Sequence, residues 1–343
     1  MPTLFTERRD RVSCACVSSV ARTDNETLIL TFSAPMSSVV SLPTPNRAGG
    51  LTASFLAYLC WGFMPIYWSF LSRADSWEVI AHRVLWSLVV LAVIFTATGR
   101  LRTARDTARL LWEQKRILVL LFSAAAVAAV NWWINVLAAH VDRVIELGIG
   151  MFLTPLLSVA IGCLVFKERL SGLRRISLAL AACGVAVLAF NYGRIPWIAV
   201  GVSATWACYG ALKKKIRIDA WMSNAFECVV LLPAAAVYLW WLNAEGLSAF
   251  GPANPGVSTA LAGLGVVTLI PMVAFAYAAQ NLPLYLLGFC QFLNPVLTIF
   301  TGVVILGEPF NKAFAAPLLF IAAAVVLFIS AELLDLRRMR AGG

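Results

Sequence analysis

Few side chains in this sequence have the type and spacing that chemistry requires, and those few lie in long apolar runs. Glu78 and His82 are four apart and share a helix face, with Arg83 beside that face and Trp86 one turn further on. Asn131 and Asn135 are also four apart, with Trp132 and Trp133 between them. Glu146 and Glu227 each stand alone among apolar neighbours, and Trp61 interrupts an earlier run. Thr154-Pro155 is matched later by Asn294-Pro295, with Gln291 one turn ahead of the second proline. Two histidines in 343 residues, and no clustered carboxylates, leave no set for acid–base or nucleophilic catalysis. No Gly-Lys-Ser/Thr phosphate loop is present. Cys14 and Cys16 have no second pair or histidine nearby, so no zinc site is expected, nor any other cofactor. The other cysteines stand singly in apolar runs, as small packing residues do. What this polar set can do is recognise a solute and hold or move a proton.

The elements that carry these groups must be membrane helices. Apolar residues make up 61% of the chain and charged ones 13%, about half the charge of a soluble domain. Runs of about 20 apolar residues, enough to cross a ~30 Å hydrocarbon core, follow one another from Leu51 onward. A soluble enzyme is excluded. The pattern predicts ten spans, at 51–71, 77–97, 117–139, 144–166, 176–191, 195–212, 220–242, 258–279, 283–306 and 314–333. The fifth and sixth are separate only if the chain breaks at Tyr192, Gly193, Arg194 and Pro196; merged, they leave nine.

Charge favours ten. Arg100, Arg102, Arg105, Arg109, Lys115 and Arg116 follow span two, and Lys167, Arg169, Arg174 and Arg175 follow span four. Lys213, Lys214, Lys215 and Arg217 follow span six, and Arg337, Arg338 and Arg340 follow span ten. The alternate loops carry only Arg73, Arg143, Arg194 and Lys312. The rich loops share one face only with ten spans, and the positive-inside rule then makes both termini cytoplasmic, in a plasma (inner) membrane. The net charge of +10 is therefore a topology signal, and no nucleic-acid partner is expected. Residues 1–50 read as a disordered polar tail, with Met36 as an alternative start, and 334–343 as a basic tail. The expected partners are the bilayer and a small solute; a homodimer is left open.

A self-match runs at a fixed offset of 140 residues, from Ala138-Ala139 and Ala278-Ala279 to Glu168 and Glu308. Between them Leu147-Gly148 pairs with Leu287-Gly288, Phe152-Leu153 with Phe292-Leu293, Pro155 with Pro295, and Gly162 with Gly302. Trp61 and Trp206 correspond more weakly, at a different offset. A five-span repeat is odd in number, so its second copy enters the membrane from the opposite side. The loops agree, since Lys167-Glu168-Arg169 is basic and Gly307-Glu308-Pro309 is not. The copies are expected at 51–191 and 195–333. Inverted repeats of this kind are a recurring architecture of secondary transporters, with the solute near the midplane.

In such a bundle each polar residue within a span is a pathway candidate. Arg83 lies ~9 Å inside Trp77 at 1.5 Å per residue. That suits either an interfacial anchor or, with His82, a contact for anionic groups. Glu227 lies ~10 Å into its span by the same rise. It is the first candidate for proton coupling and Glu146 the second; the alternative for Glu227 is a structural hydrogen bond. Asn131 and Asn135 either contact the solute or pin neighbouring helices. Pro155 and Pro295 each remove a backbone donor, predicting matched helix breaks around a binding site that Thr154, Gln291 and Asn294 would share. Trp61 and Trp86 either stack on a flat solute or anchor at the interface.

Several stretches resemble one family. Gly265-Val-Val-Thr-Leu-Ile-Pro271, Asn281-Leu-Pro-Leu284, Gly288-Phe-Cys-Gln-Phe-Leu-Asn-Pro295 and Gly307-Glu308-Pro309 are similar to the RarD-type permeases. These form part of the EamA branch of the drug/metabolite transporter superfamily. The likeness extends to His82-Arg-Val-Leu-Trp86-Ser87 and Glu227-Cys-Val-Val-Leu-Leu-Pro233, and covers 51–333. It implies an all-α permease of ten transmembrane helices built as two inverted five-helix EamA repeats, exporting a small metabolite or a chloramphenicol-like drug by alternating access. In this chain Met151 and Thr154 stand where the family favours an aromatic residue and an Asn. An uptake permease, or a sensor that binds without transporting, is the competing reading.

Overall fold

Our computed structural model describes residues 46–141, 143–310 and 315–341, without the side chains of 139, 144 and 335–341. The expectations for the tail up to residue 45, the Met36 start, Lys312, and the Arg337, Arg338 and Arg340 side chains lie outside the described residues. Among the described residues every regular element is a helix: α1 Arg47–Gly62, α2 Met64–Ser69, α3 Ser76–Ala97, α4 Leu101–Glu113, α5 Lys115–His140, α6 Val144–Val165, α7 Gly172–Tyr192, α8 Trp197–Lys215, α9 Ala220–Ala244, α10 Pro255–Asn281, α11 Leu284–Gln291, α12 Leu293–Phe300 and α13 Ala315–Ala341. A π-helical turn, Thr301–Ile305, continues α12.

The helix ends follow from local chemistry. Asp75 caps α3, accepting from the Trp77 and Glu78 N–H groups at 2.8 and 3.3 Å. Asp219 caps α9 in the same way, from Trp221 and Met222 at 3.0 and 3.2 Å. Gly193 ends α7 at φ 77°, a left-handed conformation that glycine adopts freely, so α7 and α8 are separate helices. Pro255 opens α10, where its missing N–H has no intrahelical partner in any case.

Helix faces are closed by small residues packed together with larger apolar ones such as Leu91, Leu121, Phe152 and Phe292. Ala124, Ala128, Ala276, Ala278 and Ala279 are fully or almost fully buried, whereas Phe55, Val93, Phe190, Leu319 and Val326 lie more than half exposed. Lipid removes the hydrophobic drive between helices and leaves close packing to hold them. Among the nine candidate spans α10 is the most enclosed. The main packing pairs are α6 with α8 and α11, α5 with α8 and α9, α10 with α1 and α3, α3 with α9, α1 with α12, and α7 with α13.

One expectation is met in part and two need correction. Of the ten spans expected, nine helical segments among the described residues are long and apolar enough to cross a membrane. The one that falls short is α8, 19 residues long, whose last turn is Lys213, Lys214 and Lys215. The stretch after α3 is not an open loop but the amphipathic helix α4, with Leu101, Ala104, Ala108 and Leu111 on one face and Arg102, Arg105 and Arg109 on another. Pro155 breaks nothing. It sits within a continuous α6, where the Thr154 and Ser203 hydroxyls both donate to the neighbouring Gly150 carbonyl, at 2.8 and 2.9 Å. Such hydroxyl support lets a membrane helix pass a proline. The second copy does break, at Phe292 between α11 and α12, three residues before Pro295.

Candidate functional site

A cavity of about 610 Å³ opens among α1, α2, α3, α5, α6, α8, α10, α11 and α12. Trp68, Leu71, Ser72, Ala74 and Ser76, around the turn between α2 and α3, line it, as do Asn135 and Leu147. One wall is aromatic. The Trp61 and Trp206 rings meet edge to face at 5.3 Å, and beyond the lining Phe275 lies 5.2 Å from Trp206 and stacks on Tyr209 at 5.8 Å. Tyr58, beside Trp61, completes it.

The walls carry amides and one cation. Asn131 donates to the Val202 carbonyl and to Thr205, both at 2.9 Å, and Asn135 donates to the Asn131 carbonyl at 2.8 Å. Asn131 thus pins α5 to α8, and both asparagines line the cavity. Gln291 accepts from Ser158 at 3.0 Å, and Thr298 lies 3.4 Å from Asn294. Arg83 is the only charged residue among those that line the cavity. Its guanidinium lies 4.0 Å from the Trp132 ring centroid, a cation–π contact, and among the described residues it makes no ion pair or hydrogen bond.

Glu227 stands behind Arg83, across a void of about 30 Å³ that both residues line and that has room for about one water. The two are equivalent positions. Asp75-Ser76-Trp77 and Asp219-Ala220-Trp221 start α3 and α9 with the same cap, and Arg83 and Glu227 are the eighth residue of each helix. Glu227 is occupied: Lys213 Nζ lies 2.6 Å away and Tyr209 donates to it at 3.0 Å. Lys213, fully buried, also reaches Ser223 at 2.8 Å.

Outside the cavity lining, α6, α8 and α11 are tied together. Glu168 accepts from the Leu284 and Tyr285 N–H groups, both at 2.8 Å, capping α11. Lys214 bridges Glu168 at 3.2 Å and the Leu282 carbonyl at 2.6 Å. α6 and α11 touch closely here because Gly288 has no side chain; a Cβ would meet Val159 and the Pro155 carbonyl at about 3 Å.

Over 292 residues the chain is 37% identical to Protein RarD of Streptomyces exfoliatus, covering 85% of this chain and 91% of that one. The chain belongs to the RarD-type permeases of the EamA family. The model of the EamA-like transporter family matches residues 194–330. Protein RarD of Escherichia coli is 30% identical over 84% of this chain and 96% of its own length. The Pseudomonas aeruginosa relative called chloramphenicol-sensitive protein RarD is 30% identical over 76% and 87%. A crystal structure only 18% identical superposes with a TM-score of 0.63 over 82% of this chain and 97% of that one, which shows a shared fold. This RarD-type protein is thus a multi-pass membrane permease of the drug/metabolite superfamily, with the bilayer and a small solute as partners.

The structure brings Trp61, Arg83, Asn131, Asn135, Thr154, Gln291 and Asn294 to the cavity. It holds others apart. His82 and Trp86 do not line it: Trp86 donates to His82 Nδ1 at 3.2 Å, Glu78 lies 3.9 Å from Nε2, and Phe250 covers the ring at 4.8 Å. Glu146 is a structural tie, accepting from Tyr192 at 2.7 Å and from the Ile198 N–H at 3.0 Å, with Arg143 3.5 Å away. Sequence reasoning missed Lys213, which reads as one more cation in a basic loop. Its only local signal is the four-residue spacing from Tyr209.

Proposed function

We propose that this chain is a secondary transporter that exports a small solute by alternating access, with ten spans in two inverted repeats, both termini cytoplasmic in the plasma membrane. The observation that carries this reading is a cavity lined by groups from nine helices, beside a cap on α11 made by Glu168, whose counterpart Glu308 caps nothing among the described residues. Gly162–Glu168 and Gly302–Glu308 form one and the same turn: the Glu N–H donates to the Gly carbonyl at 3.1 and 2.9 Å, and each carboxylate folds back over its glycine. Glu168 caps Leu284 and Tyr285. The residues 140 positions earlier, Val144 and Ile145, start α6, which has no side-chain cap from Arg143. In the opposite state Glu308 takes those two N–H groups and Glu168 lets go.

The packing supports the inverted repeat. Exchanging α1 with α8, α3 with α9, α5 with α10, α6 with α11–α12, and α7 with α13 turns most of the main helix pairs into one another; the packing of α8 on α10 has no counterpart between α1 and α5. The element bounds agree: α5 starts at Lys115 and α10 at Pro255, α6 starts at Val144 and α11 at Leu284, and the two copies end at Val165 and Ile305. Under this exchange α8 is the partner of α1, so it is read as a span although its lysines dilute it. Lys213–Lys215 then mark the cytoplasmic end and the cavity opens outward. Glu227 is the coupling group, because its protonation releases Lys213.

Purified protein in proteoliposomes tests this. A solute panel including amphenicols should show exchange and pH-gradient-driven flux, both lost in Glu168→Gln and in Glu308→Gln. Solutes that bind without crossing would replace the transporter with a sensor.

A further inference from the structure

We propose that the solute is a monoanion with a flat, apolar body, an aryl carboxylate rather than a neutral or zwitterionic compound. The inference rests on the transport reading for the word solute, but its test reads binding alone.

The reasoning starts from charge. Arg83 stays protonated wherever it sits, and in this cavity it has no carboxylate partner within the described residues. The nearest acid across the small void is Glu227, and Lys213 has claimed it at 2.6 Å. Arg83, Glu227 and Lys213 together therefore carry one net positive charge. Glu78 is turned away, accepting from Ser248 at 2.7 Å and from the Ala249 N–H at 2.9 Å. Asp75 is spent on the α3 cap and on Tyr238 at 3.0 Å. An unpaired cation in a membrane protein is costly, and a single anionic group placed against its planar fork offsets that cost with charge-assisted hydrogen bonds.

Shape narrows the class. Trp61, Trp132 and Trp206 line the space, an aromatic surround that suits a flat ring. About 610 Å³ lies in the range of small-molecule sites. No Asp or Glu lines the space, so an ammonium group would find only amide and hydroxyl oxygens. That disfavours amino acids, and a second negative charge would have no cation to meet.

The experiment uses three probes with one ring and three charges: 3-phenylpropionate, its neutral amide, and phenylalanine. Isothermal titration of the purified full-length protein in detergent should give the carboxylate an affinity about tenfold or more above the other two. Arg83→Ala should bring all three within about twofold of one another, and Arg83→Lys should keep part of the preference. Gel filtration and ring-dependent binding of the amide report that the variants remain folded. Equal affinities in the wild type, an undiminished preference in Arg83→Ala, or no carboxylate binding at millimolar concentration would each overturn the proposal. Binding without flux in proteoliposomes would instead remove the transport reading and leave this one standing.

Discussion

The two halves of the molecule place chemistry at matching positions and then use it differently. At the eighth residue of α3 and of α9 stand Arg83 and Glu227; the second is locked to Lys213, the first faces open space. At the turns that follow α6 and the π-helical segment stand Glu168 and Glu308; the first caps α11, the second is exposed and bonds to nothing described. Under the proposed repeat the positions correspond and the satisfied partners do not. Such a repeat would fix where a group sits, while the missing partner marks where something else is expected to arrive. For Glu308 that is the other end of α6, and for Arg83 it is the solute.

Breaking the satisfied member of the first pair should give the largest effect. Glu227→Gln leaves the Lys213 ammonium fully buried without its carboxylate, which costs about 3–5 kcal/mol when a buried pair loses one partner. A large fall in thermal midpoint in detergent is expected. Adding Lys213→Met should recover most of it, since removing both charges is close to neutral. Retained stability in the single variant would mean that Lys213 finds water or another anion, and the asymmetry with Arg83 would disappear. The double variant is the fair test of coupling, because it folds: flux driven by a pH gradient should be lost while solute exchange survives.

Glu168→Gln should act next. It replaces charge-assisted caps on Leu284 and Tyr285, worth about 1.5–3 kcal/mol, by neutral ones. Hydrogen exchange at those amides should quicken by about tenfold, with no change at Val144 and Ile145. Glu308→Gln should alter neither set in the conformation described. If it does quicken exchange at the start of α6, Glu308 already caps that helix and the two ends are not alternatives.

Much of this was legible in the chain itself. The caps at Asp75 and Asp219, the stop at Gly193, the 140-residue offset and the one-sided loop charges are local signals, readable because they depend on neighbours in sequence. Lys213 was not legible, because its partner Glu227 is supplied by another helix and a run of three lysines looks uniform until one of them turns inward. Pro155 misled for a related reason: the hydroxyl support at Gly150 comes in part from Ser203 on α8. His82 and Trp86 share a turn with Arg83, but the 248–250 segment covers their face of α3 and leaves only Arg83 at the cavity.

That division within one helix turn yields the smallest expected effect. His82→Leu removes the acceptor that Trp86 uses and the ring beside Glu78, a loss on the order of 1 kcal/mol for one hydrogen bond. The thermal midpoint should drop by a few degrees. Affinity for 3-phenylpropionate should change by less than about twofold, since Arg83 and the tryptophan walls are untouched. A tenfold loss confined to the carboxylate would instead return His82 to the binding site. The face of α3 toward Phe250 would then be part of the solute's path, and the site would extend beyond the groups that now line the cavity.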